Sequence, residues 1–103
     1  MPGYRVMVVD DEKLKRASLA EQLEAAGYEV ACYESPFPAL GRLRSEEWDV
    51  VITDLRMPGM DGIELLREIK KLSPDTEVLV MTAYGSAESA VAAMKEGASD
   101  YIT

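Results

Sequence analysis

Three aspartates at the ends of apolar runs are the residues of this sequence best placed to do chemistry. Asp10 and Asp11 directly follow the run at 5–9, and Asp54 directly follows the run at 49–53. Short apolar runs of this kind indicate buried strands, and in an open parallel sheet ligands bind beyond the carboxyl ends of the strands. Three carboxylates held together repel one another, so they must take up protons, bind a cation, or both. The pattern therefore predicts a divalent cation beside a reactive aspartate.

The chemistry open to such a cluster is limited by what the sequence lacks. There is no histidine, which removes the usual general base and the usual ligand of transition metals. Oxygen ligands and hard cations such as Mg²⁺ remain, and a carboxylate can itself attack phosphorus to form an acyl phosphate. Any one of the three acids alone would more often be a helix cap or a loop residue, so the prediction depends on all three together.

Composition indicates one acidic domain. The 103 residues are 48% apolar and 29% charged, which is enough for a single buried core. The net charge of −8 argues against direct nucleic-acid binding, which needs a basic face. No apolar run is long enough to cross a bilayer, no basic-then-apolar leader begins the chain, and Cys32 is the only cysteine. We therefore expect a cytoplasmic domain without membrane association.

Short β-rich runs alternate with helical stretches along the chain. Strands are predicted at 5–9, 29–33, 49–53, 77–81 and 100–103, and two helices at 12–26 and 86–96. Another helix begins after Ser35, a good N-cap followed by proline, and one lies between the Asp61 N-cap and Ser73. This alternation predicts a parallel sheet with helices on both faces.

Two burial predictions follow from the same pattern. We expect the first helix to turn Leu14, Leu19, Ala20 and Leu23 inward. We expect Cys32 to be buried as a small apolar residue in the second strand.

In their order and spacing, these motifs resemble the receiver domain of bacterial two-component response regulators. The matching pieces are Val-Asp-Asp at 9–11, Asp54, the Met-Pro-Gly-Met-Asp-Gly loop at 57–62, Met-Thr-Ala at 81–83, and Tyr101. The resemblance covers the whole chain, and the segment 82–101 is most similar to receivers of NtrC-like transcription activators. It implies an α/β, flavodoxin-like, doubly wound parallel sheet of strand order 2-1-3-4-5.

The resemblance also implies roles for individual residues. Asp54 would accept the phosphoryl group, Thr82 would be the switch hydroxyl, and Tyr101 would be the aromatic that changes its exposure. Backbone N–H groups near Leu55 and Arg56 are expected to donate to the phosphoryl oxygens. The implied ligands of Mg²⁺, or of Mn²⁺, are three carboxylates and one backbone carbonyl, those of Asp10, Asp11, Asp54 and Arg56.

The function that the resemblance implies is signalling rather than enzymatic turnover. The domain would take a phosphoryl group from the phosphohistidine of a sensor histidine kinase and hydrolyse it slowly. It would then control an output domain, DNA-binding or ATPase, that acts in transcription. A homodimer is a further partner that the sequence leaves open.

One departure from the family concerns the end of the sequence. Receivers carry a lysine just after the fifth strand and then a final helix, whereas this sequence ends at Thr103. We therefore expect residues 1–103 to be a receiver domain truncated near the end of strand five, with its final helix missing. One face of strands one, four and five would then lack apolar cover, which predicts marginal stability or a covering second chain.

Two other functions stay open at this point. A pseudo-receiver would keep the fold as an interaction module without phosphorylation. A metal-dependent phosphatase with an aspartate nucleophile, similar to the haloacid-dehalogenase family, would place its acids as Asp-x-Asp, whereas Asp10 and Asp11 are adjacent.

Overall fold

The computed structural model describes residues 4–82 and 85–102, and within them five strands alternate with four helices. The elements in chain order are β1 (Arg5–Val9), α1 (Lys13–Ala25), β2 (Glu29–Tyr33), α2 (Pro36–Ser45), β3 (Val50–Thr53), α3 (Gly62–Leu72), β4 (Glu77–Met81), α4 (Ala87–Lys95) and β5 (Asp100–Ile102). Ala83 of the Met-Thr-Ala motif and Thr103 of the predicted fifth strand lie outside the described residues.

The strands form one parallel sheet in the order β2-β1-β3-β4-β5, as predicted. The order reverses between β1 and β3, which are neighbours although a strand and two helices separate them in the chain. Val9 pairs with Thr53 at the carboxyl ends of these two strands. The residue that follows each strand, Asp10 or Asp54, therefore lies at the switch point of the sheet.

Three helices begin at side chains that accept backbone N–H groups. Ser35 caps α2 by accepting from the Phe37 N–H, with proline at the first helical position. Asp61 and Glu64 form a reciprocal capping box at the start of α3. Ser86 caps α4 by accepting from the Ser89 N–H. The starts of α2 and α3 were predicted from the sequence, and the second of them fixes the helix that follows the loop at 57–62.

The main core lies between one face of the sheet and helices α2, α3 and α4. Leu40, Leu65 and Ile69 pack there against Val51 and Val78, and all five side chains are buried. Burial of each aliphatic side chain of this size contributes about 1.5–3 kcal/mol. This face therefore supplies most of the apolar stabilisation, and it anchors the strands that carry the aspartates.

The opposite face has a smaller core whose helical residues all come from α1. Val6, Val8 and Ile52 form it, with Leu19 and Leu23 of α1 packed against them. Beside it runs an open groove of about 530 Å³, lined by residues that include Val6, Ile52 and Leu23. None of the helices within 4–82 and 85–102 has the length and apolarity needed to cross a bilayer.

Two burial predictions were wrong. The Leu14 side chain is 85% exposed, because it lies nine residues, about two and a half turns, before Leu23 and so on the opposite side of α1. Cys32 is exposed as well. Its neighbours on β2, Ala31 and Tyr33, face the main core, so Cys32 points to the sparsely covered face of an edge strand.

Candidate functional site

The sheet brings the three predicted acids together at its carboxyl edge. Asp10 and Asp54 are 4% and 5% exposed, respectively, and Asp11 is exposed. One carboxylate oxygen from each of the three lies within 4.8 Å of the others. The Asp54 N–H donates to the Val9 carbonyl at 3.1 Å, and this ladder bond holds Asp54 level with Asp10. The cluster is therefore a consequence of the β1–β3 register.

One oxygen of each buried carboxylate accepts a backbone N–H. Asp10 Oδ1 accepts from the Glu12 N–H at 2.9 Å, so Asp10 also orders the turn into α1. Asp54 Oδ1 accepts from the Leu55 N–H at 2.7 Å. In this structure the Asp54 carboxylate itself accepts the Leu55 N–H, and donation from that N–H to a phosphoryl oxygen stays a prediction. Both side chains are fixed in orientation by these bonds.

The second oxygen of each buried carboxylate faces Lys15, a residue that the sequence reasoning missed. The Lys15 ammonium lies 3.4 Å from Asp10 Oδ2 and 3.4 Å from Asp54 Oδ2. Burial lowers the pKa of Lys15, but the charges of Asp10 and Asp54 raise it by more in sum, so the net shift is upward. Lys15 lies in the first turn of α1, four residues after Asp11. The signal in the sequence that could have identified Lys15 is a lysine four residues after an adjacent pair of acids.

The loop at 57–62 packs closely against the backbone that carries Asp54. The Gly62 N–H donates to the Leu55 carbonyl at 2.7 Å. A Cβ at position 62 would lie 2.3 Å from the Asp54 carbonyl oxygen, so the approach requires glycine. On the other side of the site, Arg16 donates to the Asp10 carbonyl at 2.7 Å. The backbone at the ends of both strands is therefore held in place by neighbouring elements.

Of the two predicted switch residues, Thr82 follows β4, the neighbour of β3, and Tyr101 lies on β5, the strand beyond β4. Thr82 is buried directly after β4, and its N–H donates to the Ile102 carbonyl at 2.9 Å. Tyr101 on β5 is half-buried against the main core, and its hydroxyl lies 2.5 Å from Ser89 Oγ. Ser89 also completes a reciprocal capping box with Ser86 at the start of α4. The Tyr101 ring is thereby connected to the first turn of α4.

Arg56 follows Asp54 by two residues in the loop after β3, and its side chain is exposed. The role of its backbone carbonyl as a metal ligand stays a prediction.

The cluster has the donor chemistry of a site for a hard divalent cation. Its three ligand groups are all carboxylates, and Mg²⁺ prefers oxygen ligands and is usually held by one or two carboxylates together with water. Carboxylates at this separation repel one another, and a bound cation would relieve that repulsion. The residues therefore fit Mg²⁺, and they would equally accept Mn²⁺.

Comparison with known proteins agrees with this geometry. The family described as "Response regulator receiver domain" matches residues 6–103. The transcriptional regulatory protein ZraR of Escherichia coli is 46% identical over 97 residues, which are 94% of this chain and 22% of ZraR. The DNA-binding transcriptional regulator NtrC of Salmonella typhimurium is 41% identical over 97 residues, which are 94% of this chain and 21% of NtrC.

A solved structure gives the same result for the fold. It is a crystal structure of a response regulator protein from Burkholderia pseudomallei with a phosphorylated aspartic acid, a calcium ion and citrate. The match has a TM-score of 0.90 and 32% identity, and it covers 96% of this chain and 58% of that one. This chain spans about a fifth of the length of the two transcriptional regulators. It belongs to the response regulator receiver domain family, and its relatives include NtrC-type regulators.

Proposed function

We propose that this domain receives a phosphoryl group on Asp54 from a sensor histidine kinase and passes the signal to an output domain. The observation that carries the proposal is the placement of Asp54. Its carboxylate is buried at the switch point, oriented by the Leu55 N–H, and clustered with Asp10 and Asp11 within 4.8 Å. A structural cap or loop acid would need no such cluster.

The transfer step follows from this geometry. With Oδ1 held by the Leu55 N–H, Asp54 presents Oδ2 to the phosphorus of a phosphohistidine. The new O–P bond forms as the P–N bond breaks; the electron pair of the broken bond goes to the imidazole nitrogen, which takes a proton from solvent water. Asp10 and Asp11 would hold Mg²⁺ or Mn²⁺, which when bound offsets the repulsion between the carboxylate and the incoming phosphoryl group. Slow attack of water on phosphorus returns the carboxylate and releases inorganic phosphate.

The signal would leave through β4, α4 and β5. Phosphorylation places about two negative charges on Asp54, and the Thr82 hydroxyl, at the end of the adjacent strand, would turn to donate to them. Movement of that segment would change the Ser89–Tyr101 contact and therefore the exposure of Tyr101. A bias of about 1.4 kcal/mol changes the population of two states tenfold, so this small rearrangement suffices.

The partners follow from the family and from the relatives. We assign the domain to the cytoplasm and regard it as a signalling module rather than an enzyme. Its output would be in transcription, as the names of ZraR and NtrC indicate for those proteins. The exposed apolar side chains of Val91 and Met94 on α4 offer a surface for the output domain or for a second copy of the chain.

The test is the intact mass of the protein after incubation with Mg²⁺ and acetyl phosphate. Wild type is expected to gain the mass of one phosphoryl group, and Asp54→Asn is expected to gain none because an amide is a poor nucleophile toward phosphorus. Circular dichroism of Asp54→Asn checks that the variant is folded. Wild type that stays unmodified, or Asp54→Asn that is modified equally, would favour the pseudo-receiver function over this proposal.

A further inference from the structure

Lys15 stands between the two buried carboxylates of the site. Its ammonium lies 3.4 Å from an oxygen of Asp10 and 3.4 Å from an oxygen of Asp54. The two carboxylate side chains are only 6% and 4% exposed, while the Lys15 side chain is 33% exposed. The lysine therefore reaches from the surface of α1 to two buried carboxylates.

The oxygens that Lys15 faces are the ones left over by the backbone. Asp10 Oδ1 is taken by the Glu12 N–H and Asp54 Oδ1 by the Leu55 N–H. A cation that serves both carboxylates must therefore approach the region where the ammonium lies. Both distances exceed the 2.7–2.9 Å or so of a strong charge-assisted hydrogen bond, so the lysine acts on both acids as a point charge on a flexible stem.

We propose that Lys15 is a tethered counter-cation of the acidic site, which stabilises the metal-free domain and competes with the divalent ion for Asp10 and Asp54. This inference rests on the proposed function, because it takes the site to be one that binds Mg²⁺. Its consequence is that Lys15 weakens Mg²⁺ binding, so the receiver would become loaded only at higher Mg²⁺ concentrations.

Lysine suits this role because it can leave. Its four-carbon stem allows the ammonium to swing back to solvent without any change in the backbone of α1.

The matched pair of variants is Lys15→Gln and Lys13→Gln. Each removes one positive charge from the same turn of α1, and Lys13 is exposed. Long-range effects on Mg²⁺ binding are therefore common to both variants, and they are screened further by salt. The difference between the two variants isolates the contact of Lys15 with the carboxylates.

The measurement is urea unfolding followed by the fluorescence of Trp48, at Mg²⁺ concentrations from none, in EDTA, to saturation. Trp48 is the only tryptophan and is 3% exposed, so it reports unfolding. Ligand binding raises the unfolding free energy by RT ln(1 + [L]/Kd), and the midpoints therefore yield the Mg²⁺ affinity of each variant.

In EDTA we expect a lower urea midpoint for Lys15→Gln than for Lys13→Gln, because two buried carboxylates lose their counter-charge. With Mg²⁺ we expect Lys15→Gln to bind about tenfold more tightly than wild type, a change that corresponds to about 1.4 kcal/mol. Lys13→Gln is expected to stay within about twofold of wild type. The urea midpoint of Lys15→Gln, which is below that of wild type in EDTA, would then approach or exceed the wild-type midpoint as the Mg²⁺ concentration rises.

Two different failures can be told apart. If the urea midpoint of wild type responds to Mg²⁺ and that of Asp11→Asn does not, the metal site of the proposed function stands. In that case, equal behaviour of Lys15→Gln and Lys13→Gln overturns the role of Lys15. If neither wild type nor Lys15→Gln responds to Mg²⁺, both the competition and the metal site of the proposed function are refuted, whereas phosphoryl transfer to Asp54 is decided separately by the mass measurement.

Discussion

Gly62 is the position at which the smallest possible substitution should do the greatest harm to the site. An alanine Cβ there would lie 2.3 Å from the Asp54 carbonyl oxygen and 2.9 Å from the Leu55 Cα. Both contacts are with backbone, which cannot rotate away as a side chain would. Gly62→Ala must therefore push the first turn of α3 away from the segment that carries the Asp54 carboxylate.

The cost can be worked from these distances. Because Cβ contacts below 3.0 Å essentially do not occur, the helix and the strand end must separate by roughly 0.7 Å, which also stretches the Gly62–Leu55 hydrogen bond. Overpacking of this kind costs about 1–3 kcal/mol. We take about 2–3 kcal/mol here because a backbone hydrogen bond is strained as well, which corresponds to a fall in Tm of roughly 10 °C or more.

Gly41→Ala is the matched control, since it makes the same chemical change inside a helix. No heavy atom lies within 4 Å of a Cβ at Gly41 in α2, and alanine is favoured over glycine in a helix by about 0.5–1 kcal/mol. Thermal unfolding by circular dichroism should therefore show Gly62→Ala well below wild type and Gly41→Ala equal to or above it. Equal Tm values for Gly62→Ala and wild type would refute the close-approach reasoning.

Two further predictions concern a hydrogen bond and an ion pair outside the cluster of Asp10, Asp11 and Asp54. The Ser89–Tyr101 contact should appear in a double-mutant cycle of Ser89→Ala and Tyr101→Phe as a coupling of about 1 kcal/mol in urea unfolding; a coupling near zero would show that the hydroxyls act independently. The pKa of Glu46 is held below its ordinary value of 4.5, first by the hydrogen bond from Arg42 and then by one from a second arginine. A carboxylate whose pKa is lower in the folded state than in the unfolded state stabilises the fold fully above the unfolded pKa, and this stabilisation is lost as pH falls through the folded pKa. The urea midpoint of wild type should therefore be higher than that of Glu46→Gln at neutral pH. That margin should shrink below pH 4.5, and a margin that does not change with pH would contradict the pairing.

Much of the fold was predictable because local signals and apolar pattern agreed. The run at 5–9 gave the bounds of β1, and the Ser35 and Asp61 caps gave the starts of α2 and α3. The strand order came from the family resemblance, and the sheet confirmed it. Burial on the α1 side was harder to predict, because Leu14 and Cys32 are apolar residues whose exposure depends on what covers that face.

The site was predictable to the level of its acids but not of their surroundings. The placement of Asp10 and Asp54 follows from strand ends, which are visible as short apolar runs. The contact between Lys15 and Asp54 joins residues 39 positions apart, and the direction of a lysine side chain leaves no periodic signal in the sequence. The Leu55 N–H was likewise predicted to donate to a phosphoryl oxygen. Only the local backbone geometry shows that, without a phosphoryl group, the Asp54 carboxylate accepts this N–H.

The most direct test of the central claim is to locate the phosphoryl group in the chain. Borohydride reduces an aspartyl phosphate to homoserine, and peptide mass spectrometry of the reduced protein then identifies the modified position. After treatment with Mg²⁺ and acetyl phosphate, the account predicts homoserine at position 54, dependent on Mg²⁺. Homoserine at position 10 or 11, or at no position, would contradict the assignment of Asp54 as the phosphoacceptor.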